Sequence, residues 1–224
     1  ESMLQNNGLT DEEILNNFIV LFAAGVDTTS NWMAHCLFAI DSFQNYKTQL
    51  YEEIDNYFNL NDQSENFAFE KVSKNNPPFL TAVMKETLRF YPPGPTLFSR
   101  VAIQDHMLGD LEIKKGTIFT VSFLSNMLSE EHFKNPSVFR PERWIEDETM
   151  EAKLNPFAYT PFSAGPKNCL GQHMAKLEGK IILASFLKKY DFEVLDKESQ
   201  IWTLSLVYQT SKHLVARIKE RKLN

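Results

Sequence analysis

The chain has 224 residues, of which 43% are hydrophobic and 12% aromatic, enough for one large or two small domains with a sizeable core. Its 23 basic and 29 acidic residues leave a net charge of −6, and no basic stripe with interleaved aromatics occurs, which argues against a nucleic-acid partner. Cys36 and Cys169 are the only cysteines. Lying in different kinds of segment, they form no disulfide framework and point to a reducing compartment.

The opening, Glu1-Ser2-Met3, comes a few residues before a strongly helical pattern and predicts a piece of a longer protein. Thr10-Asp11-Glu12-Glu13 reads as a capping box, from which an apolar-periodic helix runs to about Asp41. Its longest apolar run, Phe18 to Val26, is too short to span a bilayer. In mid-helix lies Ala24-Gly25-Val26-Asp27-Thr28-Thr29-Ser30, a poor helix interior whose hydroxyls compete for backbone carbonyls and predict a widened turn. A second amphipathic helix is expected over 43–58, then a polar loop over 59–66.

Asn76-Pro77-Pro78 reads as an N-cap with proline at the first helical position, opening a third helix that ends before Pro92-Pro93. The period then falls to two, predicting strands over 100–103, 107–113 and 117–123, with a tight hairpin at Gly109-Asp110. The stretch from Ser129 to Pro161 is irregular and proline-rich, and so long an irregular segment usually has a function. A final helix follows Cys169 to about Lys189, with short strands near 192–194, 202–207 and 213–218. The outline is mainly α with small β-sheets.

Three constellations carry chemistry. In the third helix Glu86 and Arg89 lie three apart on an otherwise apolar stripe with Phe79 and Ala82, so they need further partners if buried. Pro141-Glu142-Arg143-Trp144 offers a second arginine, and a planar fork on each side of Glu86 would satisfy both carboxylate oxygens. Asp27-Thr28 places an acid and an alcohol beside the expected wide turn, either as a proton relay into an apolar cavity or as part of a kinked core helix. In Phe162-Ser163-Ala164-Gly165-Pro166-Lys167-Asn168-Cys169-Leu170-Gly171, one cysteine sits between two glycines at a helix opening. There it serves either as a thiolate ligand, favoured by the helix dipole, or as a small packed hydrophobe.

In this order, Ala24 to Thr29, Glu86-Thr87-Leu88-Arg89, Pro141 to Trp144 and Phe162 to Gly171 closely resemble the four signature motifs of the cytochrome P-450 family of haem-thiolate monooxygenases. The resemblance covers residues 1–224 but only the C-terminal half of that fold, from the long oxygen-binding helix through the Cys loop and its helix. It implies a partial domain whose N-terminal half, with any membrane anchor, is absent. Cys169 then corresponds to the axial ligand of haem iron and Phe162 to the aromatic packed on its sulfur. Gly165 and Gly171 correspond to the glycines that meet the porphyrin, and Ala24 and Gly25 to its distal wall. Asp27 and Thr28 correspond to the proton-delivering pair, Arg100 and Lys167 to propionate partners, and Glu86, Arg89 and Arg143 to the structural triad. Thr96, Leu97 and the turn at Val207-Tyr208 fall where the family lines its substrate pocket.

The implied cofactor is haem b, thiolate-ligated and non-covalent, because Ala24 stands where the ω-hydroxylase branch carries a haem-linked glutamate. The resemblance further implies O2, an apolar substrate such as a fatty acid or other lipid, and electrons from NADPH through a separate reductase. Asp27-Thr28 favours monooxygenation over the peroxide-rearranging relatives. The family usually has arginine at the position of Lys167, and lysine keeps the charge but loses the fork. The resemblance places the full-length protein at the cytosolic face of the endoplasmic reticulum membrane. Two alternatives remain at this stage: a non-catalytic haem-binding fragment, and a thiol hydrolase using Cys169 with His173, four residues apart.

Overall fold

The computed structural model describes residues 8–58, 72, 76–96, 99–146, 155–204 and 207–221. Helix α1, Asp11–Ser42, begins at the expected capping box: Glu13 N–H donates to Thr10 Oγ1, and Thr10 N–H donates to Glu13 Oε2 at 2.8 Å. Those hydrogen bonds hold the Glu13 carboxyl below its ordinary pKa. The helix stays α-helical through Gly25–Ser30, so no widened turn forms. Thr28 Oγ1 donates to Ala24 O at 2.7 Å, an i−4 bond that coexists with the backbone ladder. Only the C-terminal half of α1 is buried, from Trp32 to Asp41, while Phe18, Val20, Phe22 and Val26 face outward.

Helix α2, Gln44–Tyr57, packs on α1 and on α3, Pro78–Phe90. The start of α3 departs from expectation. Pro77 is the cap, and no side chain of the cap residue bonds there. Glu53 of α2 instead accepts Phe79 N–H at 2.7 Å and Leu80 N–H at 2.8 Å, closing two of the helix's open donors from another helix. Burial raises the Glu53 carboxyl's pKa, against the lowering effect of those two bonds. Helix α3 is buried almost all round, by Phe79, Leu80, Ala82, Val83, Met84, Thr87 and Leu88 together with both members of its charged pair. An all-round buried helix lies at the centre of its domain.

Four antiparallel two-stranded ribbons follow. Strand β1 (Arg100–Val101) pairs with β4 (Ile118–Phe119), and β2 (His106–Leu108) with β3 (Leu111–Ile113) across Gly109, whose φ of 59° meets the hairpin's requirement. The strand expected over 117–123 stops at Phe119, because Ser122 caps a short helix α4, Phe123–Met127, and Phe123 and Leu124 N–H both donate to Pro95 O. A 3-10 turn covers Pro141–Trp144. Helix α5, Gln172–Lys189, leads into β5 (Tyr190–Val194), which pairs with β8 (Ala216–Glu220). Strand β6 (Trp202–Leu204) pairs with β7 (Tyr208–Thr210), so of the expected turn at 207–208 Val207 is a bend and Tyr208 already begins a strand.

The main core joins α1, α2, α3, α5 and β5 through residues such as Cys36, Leu50, Ile54, Leu80, Leu183 and Phe192. Asp41, at the end of α1, is buried and accepts from Lys47 Nζ at 3.1 Å, Lys197 Nζ at 2.7 Å and Val194 N–H at 2.9 Å. Burial pushes its carboxyl up, but these bonds outweigh it and the pKa lies below the ordinary value. Both cysteines are free; Cys36 is buried and Cys169 exposed. Burial pushes the Cys36 thiol up to about 12, which leaves it a packed hydrophobe.

Candidate functional site

The Cys loop is closed by two backbone bonds. Cys169 N–H donates to Phe162 O at 2.9 Å, and Asn168 N–H donates to Gly165 O at 3.1 Å. Ser163 and Gly165 both take positive φ, 63° and 79°, and at Gly165 an L side chain would be strained. Gly171 caps α5, whose first closing bond is Ala175 N–H to Gly171 O. The loop therefore ends two residues after the cysteine, at the positive end of an 18-residue helix. Phe162 is half-buried, while Lys167, Cys169 and Leu170 are exposed.

The loop meets α1 through one contact between rings. Trp32 and Phe162 form a T-shaped pair, with centroids 6.0 Å apart and planes at 79°. Thr28 lies four residues before Trp32, about 6 Å back along the axis, and shares its face with Ala24 and Trp32. Ala24, Gly25, Asp27 and Thr28 are all exposed, on the same uncovered half of the helix as Phe18 and Phe22. Because Thr28 has committed its hydroxyl hydrogen to Ala24 O, its oxygen is left as an acceptor. The Asp27 carbonyl accepts from Asn31 Nδ2 at 2.8 Å and Ser30 Oγ at 3.2 Å. Among the described residues no hydrogen bond joins Cys169 to His173, the geometry the hydrolase alternative needs.

The triad is fully assembled. Glu86 and Arg89 are wholly buried, and Arg143 is 4% exposed. Arg89 grips the carboxylate with both prongs, Nε to Oε2 at 3.0 Å and Nη2 to Oε1 at 2.8 Å. Arg143 does not form the second fork: only its Nε reaches Glu86, at 3.1 Å, and its other nitrogens donate to Lys134 O, Asn135 O and Val138 O. The place of that fork is taken by Arg140 N–H to Oε1 at 2.8 Å and Trp144 Nε1–H to Oε2 at 2.9 Å. Arg89 Nη1 also donates to Met127 O and Pro136 O, each at 2.8 Å. Burial lowers the Arg143 pKa, with the Glu86 carboxylate opposing.

These contacts explain the irregular stretch. Its carbonyls belong to no helix or sheet, so they are free to satisfy two buried guanidiniums. Trp144 was part of the quoted motif, but no sequence signal gave its indole a role.

Arg100 is exposed on β1, with Nη1 3.4 Å from Ser99 O. Tyr208 N–H donates to Pro93 O at 2.8 Å, bringing Val207-Tyr208 beside the segment that leads to Thr96. Leu97 lies outside the described residues.

These surfaces fit a flat apolar macrocycle carrying its own metal. A side-chain carbon added at Gly25, Gly165 or Gly171 would meet nothing within 4 Å, and Leu170 and Met174 are 83% and 70% exposed around the free sulfur. Among the described residues no cluster of three or more His, Cys, Asp or Glu could hold a bare ion. Lys167 and Arg100 offer exposed cations to carboxylates at such a group's rim.

The sequence profile described as cytochrome P-450 matches residues 1–216. Among curated relatives, cytochrome P-450 4c21 of Blattella germanica is 34% identical over 96% of this chain and 42% of its own length. The probable cytochrome P-450 4d20 of Drosophila melanogaster is 31% identical over 99% of this chain and 42% of its own length. A steroid 17-alpha-hydroxylase/17,20 lyase of Ictalurus punctatus is 31% identical over 85% and 36%. The crystal structure of the cytochrome P-450DA heme domain superposes with a TM-score of 0.84 at 24% identity, over 97% of this chain and 47% of that one, a likeness of fold. The chain thus spans less than half the length of the relatives it matches.

Proposed function

The chain belongs to the cytochrome P-450 family, and from that premise we propose that it forms the haem-binding part of a monooxygenase that inserts one atom of O2 into an apolar substrate. The observation that carries this reading is the exposed Cys169 in a positive-φ loop, at the head of α5 and tied through Phe162 to the helix bearing Thr28. Haem, when bound, supplies O2 activation and accepts electrons passed from NADPH by a separate reductase.

This chain's residues do the rest. Cys169 is the residue that would hold the haem iron, its sulfur offered as a thiolate able to donate electron density. Ala24 and Gly25 leave room on the α1 face for a flat group to lie close. Thr28 Oγ1 receives and orients a proton-bearing group, and Asp27 renews the proton from the solvent side. Lys167 and Arg100 would hold the carboxylates of the macrocycle. Glu86, Arg89 and Arg143 act at a distance, fixing the scaffold under the loop.

The outward apolar half of α1 supports the reading that these residues form part of a larger domain covering that face. Membrane attachment would also belong to that larger protein; among the described residues no helix is long and apolar enough to cross a bilayer. A lipid such as a fatty acid or steroid is the proposed substrate class, supported by the apolar site and by the steroid hydroxylase among the relatives. The test is the carbon-monoxide difference spectrum of the reduced full-length protein. A long-wavelength Soret band is expected, lost in Cys169→Ala; its survival in that variant overturns the assignment.

A further inference from the structure

Resting on the haem-thiolate reading, we propose that Trp32 is a positioning residue: acting through Phe162, it sets where the Cys169 sulfur stands relative to the α1 turn that carries Thr28. Trp32 is 3% exposed and held at two places. Its Nε1–H donates to Met84 O on α3 at 3.3 Å, and its ring makes a T-shaped contact with Phe162. Its neighbour Met33 enters the junction with α5 at Gly179, where an added Cβ would stand 2.8 Å from Met33 Cε and 2.9 Å from Met84 Cε. With no side chain at Gly179, the flexible ends of Met33 and Met84 fill the junction of α1, α3 and α5.

Phe162, by contrast, is only half-buried, so core packing alone does not fix its ring. Trp32 holds one side and Lys176 Nζ lies 5.2 Å from the ring centroid. From Gly165 to Leu170 every residue of the loop is exposed. The hold of the loop on α1 therefore passes through Phe162, and the Phe162 carbonyl is what receives the Cys169 N–H. A residue serving only to fill the core would need no particular neighbour. Trp32 has one, and that neighbour is hydrogen-bonded to the ligand residue. An aromatic edge-to-face pair adds orientation beyond area burial.

The experiment uses the full-length, haem-loaded protein with Trp32→Leu, Trp32→Phe and, as a control in the same helix, Phe38→Leu. The readouts are the ratio of thiolate-ligated to thiolate-lost ferrous carbon-monoxide complex and the thermal midpoint. Trp32→Leu is expected to lower the ratio by roughly two- to tenfold, the loss of one aromatic pair. Trp32→Phe keeps a ring edge and restores the ratio to within about twofold. Phe38→Leu lowers the midpoint and leaves the ratio unchanged. An unaltered ratio in Trp32→Leu, or an equal fall in Phe38→Leu at matched stability, overturns the role of Trp32. Should Trp32→Leu fail to fold, Trp32→Phe decides: a collapse of its ratio assigns the effect to the lost N–H bond and overturns the ring-mediated role. A wild-type protein without the long-wavelength band would overturn the haem-thiolate reading itself, and this proposal with it.

Discussion

Replacing Glu86 by Gln changes no volume, so its cost isolates charge and hydrogen bonding. The carboxylate accepts from Arg89 Nε and Nη2, Arg140 N, Arg143 Nε and Trp144 Nε1. A Gln amide keeps one oxygen, and its NH2 must then face either the Arg89 Nε and Trp144 Nε1 pair or the Arg89 Nη2, Arg140 and Arg143 set. Either way at least two buried donors lose their acceptor, at about 1–3 kcal/mol each. Two guanidiniums buried to 4% exposure or less also lose their only carboxylate partner in the cluster. Removing one partner of a buried pair costs about 3–5 kcal/mol, a range that already contains much of the donor penalty. The expected loss is therefore about 3–5 kcal/mol. Equilibrium denaturation followed by far-UV circular dichroism of the full-length protein measures it. A loss below about 1 kcal/mol would refute the account, because it would mean the arginines find equivalent acceptors in the irregular stretch alone.

Three further outcomes follow from single sites. At Gly179 the atoms nearest an added methyl are the flexible ends of Met33 and Met84, so Gly179→Ala should change stability by less than about 1 kcal/mol, whereas Gly179→Val should cost about 1–3 kcal/mol in the same unfolding assay. His35 is buried, with Nδ1 2.8 Å from Tyr91 O and burial pushing its pKa from 6.5 down to about 4. Between those values the unfolded chain binds a proton that the folded one does not, so stability should fall by about 3 kcal/mol as pH drops from 6.5 to 4 and level off below, a slope that His35→Gln removes. Thr28→Ala should cut product formed per O2 consumed by at least about tenfold, with Thr28→Ser largely restoring it; unchanged coupling would dismiss the proton-holding role.

What the sequence revealed was local, and what it hid was long-range. The capping box at Thr10, the extent of α1 and the hairpin at Gly109 rest on contacts within a few residues, and they form as expected. Asn76 looked like the cap of α3, but the donors there are met by Glu53, more than twenty residues earlier and on another helix. The strand expected to reach Phe123 is cut short by Pro95, whose carbonyl takes two amides that a sheet would have used. The second fork on Glu86 failed for the same kind of reason: free carbonyls at 134–138 compete successfully for the Arg143 nitrogens. The candidate site residues rest on motif resemblance, and the Trp32 contact is not legible in sequence because periodicity marks a residue as core without naming its neighbour.

The two ends of α1 divide the chemistry of the chain. At its C-terminal end the buried Asp41 is matched by Lys47, Lys197 and the Val194 amide, and on α3 Glu86 is matched by Arg89, Arg143, Trp144 and the Arg140 amide. This buried half meets the Cys loop through Trp32 and Phe162, and under the proposed function a firm hold there would keep the Cys169 sulfur in place. At its N-terminal end α1 presents Phe18, Phe22 and Val26 with Gly25, Asp27 and Thr28 among them, a surface whose apolar area argues for a cover and whose polar pair argues for chemistry beneath it. Trp32 stands at the boundary, the last point at which the ordered core grips the helix before its open turns begin. The reactive geometry thus depends less on the exposed residues themselves than on how firmly the buried half of the helix is held against the loop that carries the sulfur.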